Sequence, residues 1–221
     1  MKARKEALLL LIINLFHLAL SKNSQINDAY FAAGCYWSIE IAYQRVPGVL
    51  KTSVGFAGGK TKNPSYQRVS TGRTGHAETV HVQYDEEIVT YNELLRVFFS
   101  LHDPTTLNRQ GGDVGTQYRS AIFPVNSHQR SEASEYIKSL DNSMSYGGSK
   151  VVTTIESPFT YTKAHSEHQQ YLEKLGQSSA KGSLNPIQCY GNRGPIKNLK
   201  RSVHPIFLKS KVQSIVGQGD L

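Results

Sequence analysis

The sequence predicts an α+β fold: a two-layer α/β sandwich in which helices cover a mixed, largely antiparallel sheet with a ferredoxin-like core. Three observations carry this. Strand-like and helix-like segments alternate along the chain with short connections, the pattern of helices layered on a sheet around one core. Glu78 to Tyr84 alternates, with Val80, Val82 and Tyr84 on one face and Thr79, His81 and Gln83 on the other, the period of a half-buried strand. Thr90-x-x-Glu93 is a capping box, and it opens a run carrying Leu94, Leu95, Val97, Phe98 and Leu101, which is helical spacing.

The elements follow in order. Asp28 to Ala33 reads as a strand and Cys35 to Val46 as a helix that Pro47-Gly48 ends. Val49 to Phe56 is a second strand, followed by a glycine-rich, polar loop through Ser65. After the strand at 78–84 and the capped helix, residues 102–116 form a long polar loop, and a loop of that length in a compact domain is commonly functional. Ser120 to Phe123 is a short strand, Asn126 caps a helix running to Leu140, Val151 to Ile155 is a strand and Ala164 to Leu175 a helix. The remainder has little periodicity. With 221 residues the chain holds one domain with a real core and is short for two.

Apolar residues make up 38% and charged residues 19%, which excludes a disordered, collagenous or coiled-coil chain. The first residues read as a targeting segment. Lys2, Arg4 and Lys5 form a basic start, Ala7 to Leu20 is apolar apart from Asn14 and His17, and Ala19-Leu20-Ser21 supplies small residues for a cut after Ser21. The apolar run is shorter than the roughly 20 residues a spanning helix needs, so residues 1–21 are expected to be removed as a signal peptide and the mature chain to have no membrane span. The formal net charge is +8, and Lys197, Lys200, Arg201, Lys209 and Lys211 lie in a tail stretch without acids. Such a tail is expected to be solvated rather than bound to nucleic acid.

There are two cysteines, Cys35 and Cys189. In a secreted chain they would form one structural disulfide, and in an enzyme a nucleophile and its resolving partner. Gly34-Cys35 sits where a strand ends and a helix begins. A helix N-terminus presents free N–H groups and a positive dipole end, which lower a thiol's pKa and favour the nucleophilic thiolate. Gly34 allows a sharp turn and leaves the sulfur approachable. Tyr36 and Trp37, the latter the chain's one tryptophan, are either core anchors or a wall for a small apolar group beside the sulfur.

The segment Gly34-Cys35-Tyr36-Trp37-Ser38-Ile39-Glu40 resembles the signature of the A-type peptide methionine sulfoxide reductases. The resemblance continues in order through Pro47-Gly48-Val49, Gly55-Phe56-Ala57-Gly58-Gly59, Asn63-Pro64-Ser65-Tyr66, Thr74-Gly75-His76-Ala77-Glu78 and His102-Asp103-Pro104. Arg109-Gln110-Gly111, Gly115-Thr116-Gln117-Tyr118-Arg119-Ser120 and His168-Gln169-Gln170-Tyr171-Leu172 extend it, so that it covers residues 29–173. It implies an oxidoreductase that returns methionine sulfoxide, peptide-bound and also free, to methionine, with preference for the S epimer. Cys35 would attack the sulfoxide sulfur, Glu78 would protonate the oxygen, Tyr66 and Tyr118 would donate hydrogen bonds to it, and Asp113 would orient. Gly34, Tyr36 and Trp37 would shape the substrate pocket. Tyr36 departs from the family's usual Phe, and its extra hydroxyl fits if it reaches water. The resulting sulfenic acid condenses with a second thiol. Cys189 is the candidate, although it stands in Asn185-Pro186-Ile187-Gln188-Cys189-Tyr190-Gly191 rather than in the family's commoner glycine-rich tail. The resemblance further implies an external dithiol such as thioredoxin as reductant, with no metal and no organic cofactor. The chain is expected to be a monomer in three parts: residues 1–21 removed, a catalytic domain over 22–180, and an irregular basic tail over 181–221 carrying Cys189. Passage into the secretory pathway leaves secretion, the ER lumen and the vacuole open.

Two other readings compete. A cysteine hydrolase would need a His base beside Cys35, from His76, His81 or His102. A non-catalytic secreted domain would use Cys35–Cys189 as a staple. His76-Ala77-Glu78 lacks the cysteines of a zinc deaminase, His165 and His168 are spaced for metal but flanked by polar residues, and no helix follows Gly55, Gly58 and Gly59 to make a phosphate loop.

Overall fold

The computed structural model describes residues 25–189; the segment read as a signal peptide and the basic tail past Cys189 lie outside the described residues. In chain order the strands are β1 (Ile26–Ala33), β2 (Val49–Ala57), β3 (Ala77–Asp85), β4 (Arg109–Gln110), β5 (Asp113–Val114), β6 (Ser120–Ile122), β7 (Thr154–Ile155) and β8 (Thr162–Lys163). The helices are α1 (Tyr36–Gln44), α2 (Tyr66–Val69), α3 (Tyr91–Ser100), α4 (Ser127–Asn142) and α5 (Tyr171–Lys174).

The main sheet runs β7-β6-β1-β3-β2-β8. Its centre, β6-β1-β3-β2, is a split βαβ arrangement: β1-α1-β2 skips one strand position, and β3 fills it antiparallel to both neighbours. β6 returns through α3 to the far side of β1. Only β6 with β7 is parallel, so the sheet is mixed and largely antiparallel, as the sequence predicts. β4 and β5 form a separate small hairpin inside the long polar loop.

Strand alternation sorts the side chains. Ala29, Phe31 and Ala33 of β1 face the helices with Val80, Val82 and Tyr84 of β3, and Phe31 stacks on Tyr43, Tyr91 and Phe98 at centroid distances of 5.2, 6.0 and 5.4 Å. The other face carries Tyr30 and Ala32 with Phe123, Phe159 and Tyr161. The polar face of β3 is therefore less open than its alternation implies: His81 stacks on Tyr30 at 4.5 Å and bonds Asp28 at 2.6 Å, while Thr79 is fully buried.

The caps read from sequence are present. Thr90 and Glu93 exchange both bonds of a capping box, and Asn126 accepts from the Gln129 N–H at 2.8 Å. Two elements differ. The strand expected over 151–155 pairs only at Thr154–Ile155, because the Val152 N–H leaves the sheet to bond Pro104 O at 2.8 Å. The helix expected over 164–175 is a short 3-10 turn (Ser166–His168), a break, and the single turn of α5. At the break, Gln170 is left-handed and the Gln169 amide completes the edge of β2, accepting from Val54 N and donating to Val54 O, each at 2.8 Å.

Candidate active site

Four separate pieces of chain meet above the start of α1. Gly34, at φ +88°, turns β1 into the helix within one residue, and Cys35 takes the N-cap position of α1. Glu78 comes from the start of β3, opposite Phe56 of β2. Tyr66 opens α2, which Ser65 caps. Asp113 opens β5, and Tyr118 closes the 3-10 turn Thr116–Tyr118. Together Cys35, Tyr36, Trp37, Tyr66, Glu78, Asp113 and Tyr118 line a cavity of about 120 Å³, room for a group of a few heavy atoms. Every residue that the sequence points to for this site faces the cavity or, like Gly34 and Cys189, lies against one that does.

Glu78 is buried, and loss of water pushes its carboxyl up to about 8 from an ordinary 4.5, although the Tyr36 N–H donates to its Oε2 at 3.1 Å. Asp113 and Cys189 push in the same direction as burial. At neutral pH the group is therefore an acid with a proton to give. Burial raises Tyr66 and Tyr118 as well, so both phenols are donors throughout the physiological range.

Cys35 departs from the expectation of a lowered pKa. Its thiol is pushed well above the ordinary value by a hydrogen bond with Cys189, by burial and by the neighbouring Glu78, and the N–H of Trp37 at the helix N-terminus only partly opposes this. The helix end acts in the predicted direction but is the smaller effect. Both cysteines are buried and their sulfurs are unbridged in this structure, which therefore does not carry the Cys35–Cys189 staple. Residues 177–189 have no regular structure beyond an isolated bridge at Ile187, yet Ile187 is fully buried.

Tyr36 also departs from expectation. It is 1% exposed and its hydroxyl has no hydrogen-bond partner, so it does not reach water. Trp37 is half-buried, with Tyr171 stacked on it at 4.0 Å and His168 at 5.8 Å, which makes it a supported wall rather than a core anchor. None of His76, His81 and His102 lines the cavity. His81 is held by Asp28, and His102 by Phe98 O and Ser120.

The supporting residues were not assigned roles from sequence. Glu40 is fully buried one helical turn from Trp37. It accepts from Gln170 N and Nε2, both at 2.8 Å, and from Thr52 Oγ1 at 3.1 Å. It thereby ties the His168–Tyr171 segment, and with it the back of Trp37, to α1 and β2. Glu40 stands in the motif and Gln170 in the His-Gln-Gln-Tyr-Leu segment; that pairing of segments was the available signal. Burial pushes Glu40 up to about 7. A raised folded pKa contributes stability that is present below pH 4.5 and is lost as pH rises through 7. Glu40→Gln is expected to flatten the fall in stability between pH 5 and 8 by roughly 3 kcal/mol at most, at about 1.4 kcal/mol per pH unit. Urea denaturation at several pH values checks this, and an unchanged pH slope would contradict it.

Residues 27–189 match the family model described as peptide methionine sulfoxide reductase. Peptide methionine sulfoxide reductase A1 of Arabidopsis thaliana is 52% identical over 166 residues, 73% of this chain and 81% of that protein. The peptide methionine sulfoxide reductase of Methanothermobacter thermautotrophicus is 50% identical over 151 residues, 68% of this chain and 89% of that protein. Among solved structures, methionine sulfoxide reductase A of Corynebacterium diphtheriae is similar with a TM-score of 0.60 at 39% identity, covering 70% of this chain and 76% of that one. Mxr1 of Saccharomyces cerevisiae in reduced form is similar with a TM-score of 0.64 at 34% identity, covering 71% and 90%.

Proposed function

Because this chain belongs to the peptide methionine sulfoxide reductase family, we propose that it reduces the S epimer of methionine sulfoxide, peptide-bound and free, to methionine, with Cys35 as nucleophile. The observation that carries the reading is the cavity that sets one thiol against a carboxyl whose pKa is pushed up to about 8 and two phenols. Tyr66, Tyr118 and Glu78 hold the sulfoxide oxygen, Trp37 takes the methyl group, Asp113 orients the substrate, and Cys35 sulfur attacks the substrate sulfur. Proton donation by Glu78 neutralises the oxygen as the sulfur–sulfur contact forms, and the Cys35 thiol proton returns to the Glu78 carboxylate. The oxygen ends on Cys35 as a sulfenic acid, and methionine leaves. The Cys189 thiol then displaces water to give a disulfide, which an external dithiol of the thioredoxin type reduces.

The stereochemical preference has a geometric basis. The two epimers differ by exchange of oxygen and methyl around sulfur. A pocket with donors on one wall and indole on another accepts only one of them with sulfur facing Cys35. Dithiothreitol-driven assays on separated epimers test this: the S epimer is expected to be consumed and the R epimer to remain. No turnover by the fully reduced chain, or consumption of R alone, would overturn the reading. In the same assays Cys189→Ser is expected to keep dithiothreitol turnover and lose thioredoxin turnover.

Passage into the secretory pathway rests on residues 1–21, with their basic start and apolar run. N-terminal sequencing of the chain recovered from a secreting cell is expected to begin at Lys22; an intact Met1 would remove this part of the proposal.

A further inference from the structure

α1 has Cys35 at one end and Arg45 at the other, and the segment 178–189 is bound at both ends. Arg45 is among the largest fully buried side chains. Its Nε donates to Ser178 O at 2.8 Å and its Nη1 to Asn185 O at 2.6 Å, while its own carbonyl accepts from Gly182 N at 2.8 Å. Among the described residues no carboxylate pairs with it. A guanidinium spent on backbone carbonyls is a geometric clamp, since its rigid fork fixes two acceptors at once. Beyond the clamp, Ile187 is buried, and Gln188 exchanges two hydrogen bonds with the Gln177 side chain at 2.6 and 3.1 Å. Cys189 then meets Cys35.

The lengths agree. Ten residues of helix from Cys35 to Arg45 span about 15 Å, and the four residues from Asn185 to Cys189 reach about 13 Å when extended. With Asn185 pinned at Arg45, the chain has little slack to place Cys189 anywhere but beside Cys35.

We propose that Arg45 is a positioning residue for the resolving step: by clamping Ser178, Gly182 and Asn185 at the far end of α1 it sets the register that delivers the Cys189 thiol to the Cys35 sulfenic acid. This rests on Cys189 being the resolver. In that step the Cys189 sulfur bonds the Cys35 sulfur, the S–O bond breaks, and the hydroxyl leaves as water with the thiol proton. Releasing the clamp lowers the effective concentration of Cys189 at Cys35 and leaves the cavity residues untouched.

The test is single turnover of the full chain with one equivalent of methionine sulfoxide and no reductant. Methionine release reports the first step, and loss of free thiol together with dimedone trapping of sulfenic acid reports the second. Arg45→Met, which keeps the stem, is expected to release methionine within about twofold of the wild-type rate, to close the disulfide at least about tenfold more slowly, and to accumulate the dimedone adduct. Arg45→Lys keeps the charge without the fork and is expected to lie between; it decides the matter if the Met variant does not fold. Disulfide closure at the wild-type rate in a folded variant overturns the role of Arg45. Absence of any disulfide in the wild type instead overturns Cys189 as resolver.

Discussion

Cys35→Ser is expected to take turnover to background, a loss of at least about 10⁴-fold, comparable to removing an activated nucleophile from other enzymes. The reason is chemical before it is structural. The reaction moves an oxygen onto the attacking atom, and sulfur accepts it as a sulfenic acid, whereas an alcohol oxygen has no corresponding stable state. The packing change is small: the side chain sits at the N-cap of α1, 8% exposed, and serine is among the residues preferred at that position. The variant should therefore unfold within about 1 kcal/mol of the wild type. A serine variant that melts normally but neither releases methionine nor forms a dimedone adduct is the expected result. Turnover above about 1% of wild type would mean that Cys35 is not the attacking group, and would place the chemistry on Cys189.

What the sequence made legible follows from range. β3, α3 and the cap of α4 are written in neighbouring residues: an alternation, a capping box, an Asn three residues before the amide it accepts from. The break at Gln169–Gln170 is not. Its cause is a side-chain amide pairing with Val54, 115 residues away in the chain, and Gln170 binding the buried carboxylate of Glu40; helical spacing within 164–175 carries no trace of either. The two-residue strands β4, β5 and β8 have no period to read. The site shows the same division. The identities of its lining residues came from motif order, but the resting state of Cys35 did not. A helix N-terminus lowers a thiol's pKa when it acts alone, and here the contact with Cys189, brought from the far end of the described chain, outweighs it. Likewise Tyr36 looked tolerable as a solvent-reaching phenol, because its burial depends on Phe56, Trp37 and His168 packing around it.

Glu78→Gln is expected to slow methionine release about 10²- to 10³-fold at neutral pH, the usual worth of a general acid together with its hydrogen bond to the developing charge. The fold should tolerate the change, since the amide oxygen still accepts from the Tyr36 N–H that now meets Oε2. The pH dependence separates this role from a steric one. Glu78 raises the proton affinity of Cys35, and Cys189 raises that of both, so the two protons are treated as those of a pair. In the wild type, chemistry requires a proton on Glu78, and the single-turnover rate should fall on the alkaline side once the pair has lost its last proton. Glutamine has no proton to lose, so the residual rate of the variant should follow Cys35 ionisation alone and rise steadily with pH. Removing the carboxylate also removes one of the effects holding Cys35 protonated, so iodoacetamide should alkylate Cys35 at lower pH in the variant than in the wild type. Equal alkaline limbs in the two proteins, or alkylation profiles that coincide, would show that Glu78 neither supplies the proton nor senses the thiol.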